Sequence, residues 1–263
     1  MQRYFISLSY QGTHFHGWQL QDNAYTVQEE IEHCLALIVK EEIRLTGCGR
    51  TDTGVHARFY VAHFDIRKKL SDDELGVLIK KVNMFLPDSV VIHQIFPIDE
   101  EIHARFSALD RTYKYFISRK KNPFVKDYSL EYLPELNLRL MQLACNVIRQ
   151  YEDFTSFSKS GGNTKTNQCK IISASWSDYP KEGMLVFTIT ADRFLRNMVR
   201  AIVGTMLDIG KEKSNLSDLR KILDARNRSA AGVSINAQGL FLWDVKYENV
   251  DFVKPAVFIY SDE

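Results

Sequence analysis

No apolar run in this sequence approaches the roughly 18 residues needed to cross a bilayer, and no segment has the charged-then-apolar layout of a secretion signal. A soluble, cytoplasmic protein with no membrane partner is the expectation on both counts. Cysteine is scarce. Cys34, Cys48, Cys145 and Cys169 stand far apart, with no C-x-x-C pair and no histidine at a partnering distance. That spacing argues against a disulfide framework or a zinc site and for four small side chains packed in or near a core. Net charge is nearly absent too, at +1 from 34 basic and 33 acidic residues. The chain as a whole is therefore neither an acidic disordered segment nor a uniformly basic one. It carries no internal sequence repeat.

What is present reads as an ordinary globular protein, with 263 residues, 45% of them hydrophobic and 25% charged. A chain of this length buries enough surface to need no disulfide or metal as a staple, and it suggests two domains or two halves. Charge divides along the chain. Residues 1–103 hold 10 basic and 15 acidic side chains and all 7 histidines, whereas residues 104–263 hold 24 basic and 18 acidic. A polyanion would prefer the second half.

Hydrophobic periodicity fills in the elements. Tyr4 to Tyr10 alternates as a strand. Thr26 with Glu29 predicts a capping box, followed by a helical stripe of Ile31, Cys34, Leu35 and Ile38. Glu42 to Cys48 and Phe59 to Ile66 read as strands around a polar, glycine-punctuated loop. Ser71 with Glu74 caps a second helix carrying Leu75, Leu78, Ile79 and Val82, and Val90 to Phe96 is a strand after Pro87. The second half repeats the order: a strand at Tyr113 to Ser118, a helix with Leu136, Leu140, Leu143, Ala144 and Val147, and strands at Cys169 to Trp176 and Leu185 to Thr190. A helix from Leu195 to Ile209 follows, closed by a left-handed Gly210, then a short helix at Leu216 to Leu223 and a strand at Gly239 to Tyr247. The tail, with Phe252, Val253, Val257, Phe258 and Ile259, is expected to pack down. Two β-α-β-β-α-β units make an α+β protein of two ferredoxin-like halves, 1–103 and 104–263, with antiparallel sheets. If the sheets join edge to edge, the face left open by the helices is a floor for a ligand the size of RNA.

Three segments carry chemistry-bearing residues. Gly47 to Ala57 places Arg50, Asp52 and His56 among three glycines on a loop tied to strands at both ends, which positions side chains better than a free loop does. Asp52 suits a nucleophile, a general base, a metal ligand or a plain turn residue. No second carboxylate or histidine pair stands at metal-ligand spacing, and no G-x-S-x-G elbow accompanies His56. From Arg105 to Lys121, 6 of 17 side chains are basic against the single acidic Asp110, with Phe106, Tyr113, Tyr115 and Phe116 interleaved. Charges for phosphates and aromatic rings for an unstacked base are what single-stranded RNA requires. Arg193, Arg196 and Arg200 fall on one face of the predicted helix near its start, where the macrodipole offers a cation nothing and an acidic partner would explain them. Gly204, inside that apolar helix, predicts close approach of another backbone. Around Gly161 and Gly162 lies a polar loop that suits either a lid or a bare surface.

These segments resemble the TruA family of bacterial tRNA pseudouridine synthases. The matching blocks are GRTDTGVHA around Asp52, HARFSALDRTYKY from His103 to Tyr115 and FLRNMVRAIVGTM from Phe194 to Met206. Tyr10-Gln11-Gly12, Gly17-Trp18-Gln19, Thr26-Val27-Gln28, Asp153 to Phe157 and Gly239-Leu240-Phe241-Leu242 also match, so the resemblance spans nearly the whole chain. It implies an isomerase without cofactor or obligatory metal that converts uridine to pseudouridine at positions 38, 39 and 40 of the tRNA anticodon stem-loop. It also implies a homodimer, and two ferredoxin-like halves sharing one long sheet with a catalytic cleft between them. Asp52 matches the essential aspartate, Arg50 the residue that displaces the target base, Tyr113 the active-site tyrosine and Arg200 the basic partner of the aspartate. His56, His103, Arg105, Arg111 and Arg196 are expected to contact RNA or support the site locally, and Leu240 and Leu242 to line the pocket. Phe194 and Met198 are expected in the core. Three departures stand out: Glu152 where the family has histidine, Ala231 to Ala237 reading AGVSINA in place of a proline-bearing turn, and Asn167-Gln168-Cys169 in place of Arg-Thr-Ile. The competing reading is a non-catalytic RNA-binding module with paired RRM-like halves, which would have no need of an aspartate on a held loop.

Overall fold

Residues 1–159 and 166–256 are described by the structure, a computed structural model. Among them are nine strands and five α-helices, a mixed α+β protein. They form two compact units. One is Met1–Leu109 with the chain that returns at Leu242, and the other is Asp110–Phe241. The contact boundary thus lies a few residues beyond the change in charge at 103/104, and the last strand goes back to the first unit.

In the first unit the element order is β1 (Gln2–Tyr10), α1 (Val27–Val39), β2 (Thr46–Gly47), β3 (His56–Ile66), α2 (Asp72–Phe85) and β4 (Val90–Ile98). β1 is central and antiparallel to β3, with Tyr4 opposite Phe64, and to β4, with Phe5 opposite Phe96. Tyr4, Phe5, Ile6 and Leu8 are fully buried, each contributing about 1.5–3 kcal/mol over an exposed side chain. The capping box of α2 forms in both directions between Ser71 and Glu74. At α1 the Thr26 hydroxyl accepts from Glu29 N–H at 3.3 Å, which is one half of the predicted box. Ile38 is only half-buried, and the face buries the carboxylate of Glu32 instead.

That carboxylate explains the shortness of β2, for which the sequence predicts a strand over Glu42 to Cys48. Leu45 N–H donates to Glu32 Oε1 at 2.7 Å, and its carbonyl accepts from Gln28 Nε2 at 3.0 Å. Side chains of α1 take the backbone groups that a strand ladder would have used. The tail packs as expected where it is described. The Phe252 ring lies 6.1 Å from Phe5, 5.2 Å from Phe59 and 5.5 Å from Phe96, whereas Val253 is exposed. Val257, Phe258 and Ile259 lie outside the described residues.

The second unit contains β5 (Ala108–Ser118), β6 (Leu130–Glu131), α3 (Leu138–Ile148), β7 (Ile171–Tyr179), β8 (Met184–Ala191), α4 (Met198–Gly210), α5 (Leu216–Ala225) and the start of β9 (Leu240–Tyr247). β8 is antiparallel to β5, with Tyr113 opposite Ile189, and to β7, with Trp176 opposite Phe187. α3 turns a different face inward from the one its leucines suggest. Met141, Ala144, Cys145, Val147 and Ile148 are buried, while Leu143 is exposed. α4 begins at Met198, three residues later than its apolar pattern implies, because Asn197 is left-handed at φ 66° and stops the helix from extending backward. Arg193 and Arg196 therefore precede the helix, and the predicted three-arginine face does not form. Gly210 is not a left-handed cap; the residue after it, Lys211, has φ −80°. A Cβ at Gly210 would stand 2.6 Å from Met141 Sδ, so the glycine is there for packing against α3. Gly204 does meet a backbone: a Cβ there would lie 2.0 Å from the Val233 carbonyl oxygen. All four cysteines are free and buried. Burial pushes the thiols of Cys34 up to about 11 and of Cys145 and Cys169 up to about 12, with Glu30 adding to the shift at Cys34.

Candidate active site

In the first unit, the loop from Cys48 to His56 is held almost residue by residue. Cys48 N–H donates to Val61 O at 2.8 Å, Tyr60 donates its hydroxyl to Gly49 O, and Trp18 N–H donates to Thr51 O at 3.4 Å. The hydroxyls of Tyr10 and Thr51 are 2.8 Å apart, Val55 N–H donates to Asp52 O at 3.1 Å, and Gly54 N–H donates to Phe15 O at 3.3 Å. Below it, Trp18 stacks on Tyr60 with ring centroids 4.0 Å apart. The neighbouring segment presses against the loop through glycines. A Cβ at Gly12 would lie 2.0 Å from Val55 O, and one at Gly17, whose φ is +89°, 2.3 Å from Thr51 O.

The result is a rigid cradle whose side chains divide between the inside and the surface. Thr51, Val55 and His56 point inward and are buried, Asp52 is half-buried, and Arg50 and Thr53 are exposed. His56 is 1% exposed, and its Nδ1 accepts from Gly12 N–H at 3.0 Å. Of its two expected roles the geometry supports local support over RNA contact, since a ring so enclosed cannot reach a nucleic acid.

His103 and Arg105 sit elsewhere in this unit, on a tight turn. His103 Nδ1 accepts from the N–H groups of Arg105 at 3.0 Å and Phe106 at 3.3 Å, and Ser107 N–H donates to His103 O at 2.9 Å. Arg105 is exposed and its guanidinium lies 5.7 Å from the Phe106 ring centre. Beneath, buried His63 accepts from Ala104 N–H at Nδ1, 3.1 Å, with its ring 4.8 Å from that of His103. Burial, reinforced by Arg3 and His103, lowers His63 to about 4. A histidine held neutral in the fold contributes stability that is complete above its unfolded value of about 6.5 and is lost as pH falls through the folded value. His63→Asn, which keeps an acceptor for Ala104 but cannot titrate, is accordingly expected to flatten the loss of unfolding free energy between pH 6.5 and pH 4. Urea melts across that window test it, and parallel pH profiles for the two proteins would contradict it.

In the second unit, α4 is buried at every position except Arg200 and Asp208. Arg200 is thus a lone half-buried cation in the first turn of an apolar helix, where the macrodipole works against it. Its Nε donates to Ile235 O at 2.7 Å. It lies close enough to Tyr115 to oppose the rise that burial imposes on that phenol, whose hydroxyl donates to Asn236 O at 2.7 Å. Tyr113, two residues earlier on β5, is half-buried and meets Phe194 edge-on, with centroids 4.9 Å apart at 80°. Arg111 donates to Asp192 O at 2.8 Å, and Arg196 is exposed. Leu240 is buried at 5% exposed, and Leu242, which belongs to the first unit, at 1%. Met198 is core, as expected, but Phe194 is only half-buried because it props Tyr113. The loop around Gly161 and Gly162 lies outside the described residues.

Tyr10, Trp18 and Asn197 lie in the matching blocks and Ser234 in the departing AGVSINA segment, but no role follows for them from the sequence, which does not single out Tyr60 or Arg228. Tyr10, Trp18, Tyr60 and Asn197 act through contacts between distant parts of the chain, which no local pattern signals, whereas Arg228 reaches only three to six residues ahead. Among the described residues no three His, Cys, Asp or Glu side chains are grouped to hold a metal ion, and no helix is long and apolar enough to cross a membrane.

Residues 151–248 match a family model described as tRNA pseudouridine synthase. Over 249 residues the chain is 46% identical to a tRNA pseudouridine synthase A of Azobacteroides pseudotrichonymphae, covering 95% of this chain and 98% of that one. It is 46% identical to the protein of that name from Parabacteroides distasonis, covering 94% and 96%, and 44% identical to that from Bacteroides fragilis, covering 94% and 97%. A solved structure, the 3-hydroxy-3-methylglutaryl-coenzyme A reductase of Streptococcus pneumoniae, is matched at a TM-score of 0.19 and 10% identity over 87% of this chain and 69% of that one.

Proposed function

Because this chain belongs to the tRNA pseudouridine synthase A family, isomerases of tRNA uridine, we propose that it converts uridines 38, 39 and 40 of the anticodon stem-loop to pseudouridine with Asp52 as its catalytic carboxylate. The observation that carries the reading is the cradle around Asp52, in which backbone and side chains are anchored at nearly every residue while that one carboxylate is left half-buried. Preorganisation of this kind is what a group acting on ribose requires.

The reaction breaks the bond from ribose C1′ to uracil N1, turns the base, and joins C1′ to C5; C5 loses a proton and N1 gains one. Ionised Asp52 serves either by attacking the sugar or by removing the 2′ proton to give a glycal. Arg200 supplies the counter-charge that keeps the carboxylate ionised inside a cleft. Tyr113, propped by Phe194, stacks on the uracil and offers its hydroxyl near C5. Arg50, exposed at the lip of the cradle, takes the place of the base once it has left the stack, offsetting a flipping cost of a few kcal/mol. Arg105, Arg111, Arg196 and His103 face the tRNA, with Leu240 and Leu242 under the base and His56 bracing the loop. The halves 1–103 and 104–263 are each ferredoxin-like. The enzyme works as a cytoplasmic homodimer, without cofactor or obligatory metal.

Transcripts carrying 5-tritiated uracil at only position 38, 39 or 40 test the site assignment. Label release to water from all three, with nothing added but protein, is the expected result. Release from a single position, or from uridines outside the anticodon arm, would overturn it.

A further inference from the structure

The segment from Ala231 to Asn236 has no helix or strand of its own, yet each residue from 232 onward is fastened. Gly232 N–H donates to Thr205 Oγ1 at 3.1 Å, and Thr205 in turn donates to Ala201 O at 3.0 Å. The Val233 carbonyl rests where a Cβ of Gly204 would be. Ser234 Oγ accepts from two side chains, Asn197 Nδ2 and, at 2.8 Å, Arg228 Nη2. Arg228 also donates through Nη1 to Gly232 O at 3.2 Å. Ile235 is paired with Arg200 in both directions: Arg200 Nε donates to its carbonyl at 2.7 Å, and its N–H donates to Arg200 O at 3.3 Å. Asn236 O takes the Tyr115 hydroxyl at 2.7 Å. The segment is one wall of a cavity of about 460 Å³ that Asn197, Arg200 and Arg228 also line.

Those bonds run in one direction. On one side stand groups to which the proposed reaction gives no step, namely Arg228, Asn197 and Thr205. On the other stand Arg200 and Tyr115, which the segment aims. We infer that Ser234, gripped by Arg228 and Asn197, is a positioning residue for the isomerisation: it sets the Ile235 carbonyl, and that carbonyl sets the plane of the Arg200 guanidinium. The inference rests on Arg200 being the counter-charge of the catalytic carboxylate. A planar guanidinium held by a fixed Nε bond presents its remaining donors in one orientation, whereas an ammonium in its place would not. The hydroxyl of Ser234 takes both of those donors, so its loss removes the two side-chain bonds next to Ile235 while leaving Arg200 itself in place.

The experiment is a double-mutant cycle on the full-length protein, read as tritium release from tRNA. Ser234→Ala is expected to lower kcat about tenfold or more, the scale of a displaced catalytic group, with KM within about twofold. Ser234→Thr, which restores the hydroxyl, is expected to recover most of that loss. In an Arg200→Lys background, where the Nε bond no longer exists, Ser234→Ala is expected to cost nothing further; a merely structural role would add its full penalty there. Unchanged kcat in Ser234→Ala, or an equal loss in both backgrounds, overturns the inference. Should Ser234→Ala fail to fold, Arg228→Lys, which removes the forked donor, is held to the same two outcomes. If Arg200→Lys and Arg200→Ala both match the wild type, the counter-charge reading itself falls and takes the positioning role with it. If Arg200 variants are impaired and the cycle is additive, only the role of Ser234 is lost.

Discussion

Asp52→Asn is expected to lower tritium release from tRNA at least about 10³-fold while leaving tRNA affinity and thermal stability close to wild type. Asparagine has nearly the same shape, and the loop is anchored by other groups: the Asp52 backbone carbonyl takes Val55 N–H, and the Tyr10 and Thr51 hydroxyls, Gly54 and His56 hold the rest. What disappears is the negative charge that, in the proposed reaction, attacks the sugar or takes its proton. Single-turnover assays with 5-tritiated tRNA measure the loss, and filter binding across a salt series measures affinity, which should keep its steep dependence on ionic strength. A variant that still released label at a rate within tenfold of wild type would remove Asp52 from the chemistry. A variant that lost binding in proportion would make it a recognition residue.

The second large effect comes from a residue with no chemistry. Gly17→Ala carries two penalties, a Cβ 2.3 Å from the Thr51 carbonyl oxygen and a backbone at φ +89° that side chains disfavour. Together they are expected to cost about 3 kcal/mol, which for a protein of this size lowers Tm by roughly 6–10 °C. Thr51 adjoins Asp52, so the displaced loop should also lose most of its kcat at temperatures where the protein is still folded. Gly76→Ala is the control. It sits on α2 with open space around it, and should raise Tm slightly by restraining the unfolded chain. Calorimetry on the three proteins decides the matter; equal melting temperatures for Gly17→Ala and wild type would mean the loop yields without strain.

Much of this architecture was legible before any coordinates. The order of elements follows from alternation and stripes, the Ser71–Glu74 box forms as written, and the mid-helix Gly204 does face a backbone. The Asp52 loop was legible because its unusual residues are contiguous and lie between two well-marked strands. The failures share a cause. β2 shrinks because Glu32 and Gln28, on another element, claim the Leu45 backbone. α4 starts late because a left-handed Asn197 breaks a run whose apolar period continues through it. α3 rotates because sulfur-bearing and small residues, not its leucines, fit against α4. In each case a partner remote in sequence overrides local preference, and the same holds for the supports of the site. Arg228 and Ser234 look like unremarkable loop residues until the bond between them is seen.

The four enclosed cysteines have a practical corollary. Thiolate is the reactive form, and three of these thiols ionise only far above neutral pH while all four are shut away from reagents. The native chain is therefore expected to be silent toward maleimide labelling, so that a single cysteine engineered onto its surface would be an addressable handle for a fluorophore or spin probe, with no need to strip out the natural ones.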